Sequence, residues 1–193
     1  MKLDRIVVAS KNPDKIAEVE SVLVVRLPNL EIVRGLEWPD VEETEPTLEG
    51  NALLKAHAVV AATGLTALAD DTGLEVDALG GAPGVNTARY AGSGASYADN
   101  VAKLLRELGD NPNRSARFKT VVAVVDPDGE VVTFEGRLEG SITHAPRGDR
   151  GFGYDPVFEV DGRTMSEISL EEKNVMSHRS RAIAGVVAAL LGD

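Results

Sequence analysis

Residues 68–91, LADDTGLEVDALGGAPGVNTARYA, carry the chain's most suggestive chemistry: two adjacent carboxylates, Asp70 and Asp71, following a short apolar run at 65–69. The run reads as a buried strand that ends at the acidic pair, with Thr72 and Gly73 supplying a sharp turn. Carboxylates at the C-terminal edge of a strand lie where open α/β sheets place their ligands. Their oxygens, together with phosphate oxygens, suit a hard cation such as Mg²⁺. The plain alternative is a pair of acids that only caps a turn.

Three other groups bear on that choice. Ser10-Lys11-Asn12-Pro13-Asp14-Lys15 precedes a helical pattern through Ile16, Val19 and Leu23. Asn12 suits the N-cap and Pro13 the first helical position, so free N–H groups would face the end of the first strand. Such a helix end binds phosphate, and Lys15 adds a positive charge. The glycines of a P-loop are missing, and a solvated lysine on a capped helix is the alternative. In residues 148–155, GDRGFGYD, an aromatic on a flexible loop can stack on a flat base while Asp155 accepts base N–H groups; either ring could instead pack a core. His178 and Arg179 open the last helical pattern, where cations oppose the helix dipole, so an anion or polar ligand is expected nearby.

The elements that must position these residues follow from period and punctuation. Residues 6–9 read as a buried strand, and 38–47 as an acidic loop containing Glu42 and Glu43. Thr47 caps a helix over 48–62 closed by Gly64, with Asn51 and Lys55 on one face. A strand over 74–77 leads to the tight connection Gly80-Gly81-Ala82-Pro83-Gly84, and Ser96 caps a helix over 97–108 ended by Gly109. Strands at 118–125 and 130–134 flank Asp126-Pro127-Asp128-Gly129, a hairpin signal. Ser169-Leu170-Glu171-Glu172 is a capping box heading a short helix with Lys173, and Ser177 caps the final helix over 178–191.

The 193 residues suit one domain with a substantial core. With no cysteine, thiolate chemistry, disulfides and Cys-based zinc sites are excluded, and the dispersed His57, His144 and His178 argue against an all-His metal site. A formal net charge of −11 repels polyanions, which speaks against a nucleic-acid polymer as ligand. No apolar run approaches the ~20 residues of a membrane span, so neither a membrane nor secretion is expected, and the location expected is the cytoplasm.

Six motifs in order bring a resemblance. Ser10-Lys11-Asn12-Pro13-Asp14-Lys15, Asn51-Ala52-Leu53-Leu54-Lys55-Ala56, Ala69-Asp70-Asp71-Thr72-Gly73-Leu74, Gly80-Gly81-Ala82-Pro83-Gly84 with Ala88-Arg89-Tyr90, Gly151-Phe152-Gly153-Tyr154-Asp155-Pro156 and Ser177-His178-Arg179 run nearly end to end. The chain resembles the inosine triphosphate pyrophosphatase family, the XTP/dITP diphosphatases. The resemblance implies an elongated α/β fold with a mixed sheet, two lobes around a nucleotide cleft, and a homodimer. It also implies Mg²⁺-dependent cleavage of ITP, dITP or XTP between the α and β phosphates, clearing deaminated purines from the nucleotide pool. Matched residue by residue, Asp71 would be the catalytic acid, as general base or metal ligand, with Glu43 as the second ligand and Glu42 its competitor. Ser10, Lys11, Asn12, Lys15 and Lys55 would hold the triphosphate near Thr72. Phe152 would stack on the base beside Gly153, Tyr154 and Asp155, and Lys173, His178 and Arg179 would complete the site and read the 6-oxo edge. Gly50, Asn86-Thr87 and Arg150 depart from the family pattern without touching a residue assigned to chemistry. A Maf-like pyrophosphatase for other nucleotides and a non-catalytic nucleotide-binding regulator are the alternatives.

Overall fold

The computed structural model describes residues 4–191, which divide into two compact units: 4–71, 120–136 and 177–191 form the first, 72–119 and 137–176 the second. The fold is mixed α/β. Its strands are β1 (Arg5–Val8), β2 (Glu31–Val33), β3 (Ala67–Val76), β4 (Pro83–Gly84), β5 (Ser115–Val125), β6 (Val131–Ile142), β7 (Phe158–Val160) and β8 (Arg163–Thr164). Its helices are α1 (Pro13–Arg26), α2 (Leu48–Thr63), α3 (Tyr97–Leu108), α4 (Leu170–Met176) and α5 (His178–Leu191). Hydrogen bonding orders the strands β2-β1-β3-β5-β6-β7-β8, with β4 on β3. Among the described residues, no helix is long and apolar enough to cross a membrane.

In the first unit β1 pairs in parallel with both β2 and β3, as strands joined by helical crossovers do. Each face of these strands has its own core. Ile6, Val8 and Leu68 pack with Val19 and Leu23 of α1 and Ile183 of α5, whereas Val7, Ala9, Ala67 and Ala69 pack with Ala56 and Val59 of α2. Side chains alternate along a strand. Leu68 therefore puts Asp70 on the α1/α5 face, and Ala69 puts Asp71 on the α2 face.

The second unit is built around Leu74, Leu104, Phe118, Tyr154 and Phe158. Its helix caps match their sequence signals: Ser96 and Asp99 form a reciprocal capping box on α3, and Ser169 and Glu172 exchange the same pair of bonds on α4.

Two expectations need correction. The strand does not end at the acidic pair, and Thr72-Gly73 is no turn: β3 runs ten residues with Asp70 and Asp71 in its middle. Aspartate and glycine are poor strand formers, but each acid meets a cation here, and burial of Leu74 and Val76 favours continuing the strand. The hairpin strands are also longer than the apolar pattern indicates, because β6 extends through polar residues to Ile142.

Candidate active site

The first unit places two ion clusters back to back on β3. On the α2 face, Lys55 Nζ lies 3.0 Å from Asp71 Oδ1 and 3.0 Å from Glu43 Oε1, and it donates to the Asp70 carbonyl at 2.7 Å. Asn51, one turn earlier on α2 and fully buried, reaches Asp71 Oδ2 at 3.4 Å. The same amide accepts the Glu45 N–H at 3.0 Å and donates to the Glu45 carbonyl at 3.3 Å, which ties the acidic loop to the helix. One cation thus serves two carboxylates, so this cluster keeps a net negative charge. Burial and the neighbouring Glu43 raise the Asp71 pKa against the opposing pull of Lys55. Burial would strip the proton from Lys55, but Asp71, Asp70 and Glu43 outweigh it and keep the ammonium charged.

On the α1/α5 face the charges balance. Asp70 meets Arg179 Nη2 at 3.2 Å, Arg179 Nε at 3.3 Å and Lys15 Nζ at 3.3 Å. The other side of the Arg179 guanidinium is bound to Glu18. Burial pushes the Asp70 carboxyl up, but Lys15, Arg179 and Lys55 overcome it and hold the group well below the usual carboxylate range. Adjacent aspartates thereby acquire opposite characters, the ionised form favoured in Asp70 and disfavoured in Asp71.

The second unit holds a separate group. Lys173 Nζ lies 2.8 Å from Asp155 Oδ2, with both side chains almost wholly buried, and sits over the Phe152 ring at 5.5 Å from its centroid. Asp155 Oδ2 also accepts the Phe152 N–H at 2.9 Å. Gly151 has φ +72°, and a Cβ there would collide with that same carboxylate oxygen, so only glycine fits. Tyr154 is a core residue instead of a stacking surface: its ring is buried and its hydroxyl donates to the Thr87 carbonyl at 3.0 Å.

The remaining expected residues divide. All in the first unit, Lys55, Asp71 and Glu43 meet on the α2 face of β3, Lys15 and Arg179 meet Asp70 on the other face, and Glu42 is exposed. His178 is buried in the same unit, its Nδ1 2.6 Å from Thr120 Oγ1. Ser10 Oγ accepts the Asn12 N–H at 3.2 Å. The amides expected to be free for phosphate are partly committed, because Asn12 Oδ1 accepts from Asp14 N–H at 2.9 Å and Lys15 N–H at 3.4 Å. Lys11 points to the exposed Asp40 instead of the acidic pair. Thr72 follows Asp71 within β3, and Gly153, at φ +63°, follows Phe152. The anion expected near Arg179 is supplied by the chain itself, through Glu18 and Asp70.

Carboxylate oxygens from Asp71 and Glu43 converge on one ammonium and leave a net negative charge beside a raised carboxyl pKa. That donor set fits a hard divalent cation completed by ligand oxygens.

A family model for the Ham1 family matches residues 6–189. The chain belongs to the Ham1 family. It is 51% identical to the dITP/XTP pyrophosphatase of Symbiobacterium thermophilum, covering 95% of this chain and 93% of the relative, and 48% identical to that of Geobacter sulfurreducens, covering 94% of each. Among solved structures, the Staphylococcus aureus Ham1 protein superposes with a TM-score of 0.86 at 41% identity, covering 97% of this chain and 98% of that one.

Three residues of this Ham1 chain that touch the clusters were not assigned to the site from sequence. Glu18 looks like any helical glutamate, yet only 7% of its surface is exposed and it is the counter-ion of Arg179. Thr120 sits in an apolar strand with nothing marking its contact with His178. Asn51 did carry a signal, the four-residue spacing that puts it on the same helix face as Lys55.

Proposed function

We propose that this chain hydrolyses deaminated purine nucleoside triphosphates, ITP, dITP and XTP, to the monophosphate and pyrophosphate. The observation that carries the reading is the α2-face cluster, in which Lys55 joins Asp71 to Glu43 with negative charge left over. A binder of an anionic ligand gains nothing from burying paired acids, whereas phosphoanhydride hydrolysis needs charge neutralisation and an oriented water. The names of the relatives support the substrate class.

Asp71 and Glu43 would hold Mg²⁺, which when bound supplies neutralisation of the phosphate oxygens. Asp71, with its raised pKa, is suited to accept a proton from water, and Lys55 holds its carboxylate in place. Lys15 and Lys55 balance triphosphate charge, aided by Ser10 and Asn12. Phe152 offers the base a π-face, and Asp155 with Lys173 lines the base end. A buried site that hydrogen-bonds a 6-oxo group leaves partners unpaired when offered the 6-amino group of ATP; His178 is assigned to this discrimination, and Arg179, engaged by Asp70 and Glu18, to holding that face in place. We further propose a cytoplasmic homodimer, on the family resemblance.

The test is a substrate panel with product analysis. ITP, dITP and XTP should yield monophosphate and pyrophosphate far faster than ATP or pyrimidine nucleotides. Preference for pyrimidine or modified nucleotides would favour a Maf-like activity, and release of orthophosphate would refute the reading.

A further inference from the structure

Tyr97 is the first residue of α3 and 43% exposed, an unusual surface position for a large aromatic side chain. Its ring centroid lies 5.9 Å from that of Phe152, with the planes inclined by 41°. Phe152 stands between two glycines with φ of +72° and +63°, in a turn that Asp155 holds by accepting the Phe152 N–H. Lys173 covers one face of Phe152. A flat ligand stacking on Phe152 must therefore use the other face, and Tyr97 is the neighbouring ring that is open to solvent.

We propose that Tyr97 is a second aromatic contact for the purine base, extending the stacking surface that Phe152 begins. The proposal rests on the reading of the Phe152 group as the base end of the site. Stacking on an aromatic ring is sequence-tolerant, because every base presents a π-face. Tyr97 thus adds affinity for the nucleoside part without discriminating between 6-oxo purines. Position 97 lies at the helix start, where Ser96 and Asp99 form the cap without help from the tyrosine side chain, so α3 survives its replacement.

The experiment compares Tyr97→Ala and Tyr97→Phe with the unaltered protein, using ITP turnover, inhibition by inorganic pyrophosphate and calorimetric binding of IMP. Tyr97→Ala should raise KM for ITP and weaken IMP binding about five- to tenfold, with kcat and the pyrophosphate inhibition constant unchanged. Tyr97→Phe should restore both values, since it keeps the ring. An unchanged KM in Tyr97→Ala, equal weakening of IMP and pyrophosphate, or a Tyr97→Phe variant that behaves like the alanine would overturn the proposal. Failure of the unaltered protein to release pyrophosphate from ITP would instead refute the functional reading. If that protein also binds no IMP, both fall.

Discussion

Exchanging each of two neighbouring aspartates for asparagine should change stability by clearly unequal amounts. Asp70 contacts Arg179 at 3.2 Å and Lys15 at 3.3 Å in a buried setting. Each contact has a gross Coulomb attraction of ~5 kcal/mol at an effective dielectric of about 20. Desolvation offsets much of that, and removing one partner of a buried pair costs about 3–5 kcal/mol. For a chain of this size the loss lowers Tm on the order of 10 °C. Asp71→Asn should cost distinctly less, because Glu43 still pairs with Lys55, and burial and Glu43 already disfavour the ionised form of Asp71.

The pH dependence separates the two cases. The folded pKa of Asp70 is depressed, so its contribution is present above the unfolded value of about 3.9 and is lost as pH falls through the folded value. The folded pKa of Asp71 is raised, so its penalty is absent below the unfolded value and grows as pH rises through the folded one. The advantage of Asp71→Asn over Asp70→Asn should therefore shrink on acidification, while the Asp70→Asn deficit persists until the unfolded aspartate itself protonates. Urea unfolding of both variants at about pH 7.5 and about pH 4.5 reads these differences. Equal losses in the two variants, or a larger loss from Asp71→Asn, would refute the opposed characters assigned to the pair.

Other expectations follow from the same contacts. Gly151→Ala forces a Cβ onto the Asp155 carboxylate and should raise KM for ITP about tenfold or more, whereas Gly153→Ala meets no atom within 4 Å and should cost only ~1 kcal/mol of backbone strain in an unfolding titration. Asn51→Ala strands the Glu45 amide and loosens the acidic loop; it should lower stability by about 1–3 kcal/mol and reduce kcat together, and a fully active, fully stable variant would count against its positioning role. Lys55→Met leaves Glu43 and Asp71 without their shared cation, so pyrophosphate release should fall at least about a hundredfold.

Much of the scaffold was legible because helix ends announce themselves locally. Asn12, Thr47, Ser96 and Ser169 all accept the backbone N–H bonds that their types and spacing indicate. The cations around the acidic pair were legible too, as motif residues, although Lys15 and Arg179 turn out to serve Asp70 and Lys55 to serve Asp71. What failed were readings that depend on distant partners. Propensity put a turn after Asp71, but ion pairs contributed by α1, α2 and α5 stabilise a continuous strand there. For either ring of the loop the sequence left core packing open; a carbonyl in a distant segment, at Thr87, holds the Tyr154 hydroxyl, and its ring is the buried one. Glu18 was invisible for the same reason, since its partner lies 161 residues away in sequence.

Pyrophosphate release from ITP, measured across a range of Mg²⁺ concentrations, reads the role of the Asp71–Glu43 cluster. The unaltered protein should show a saturable requirement for the metal, Glu43→Gln should need more of it, and Asp71→Asn should bind nucleotide without turning it over. Turnover that is indifferent to Mg²⁺, or an Asp71→Asn variant with near-normal rate, would contradict the assignment of this acidic cluster as the seat of hydrolysis.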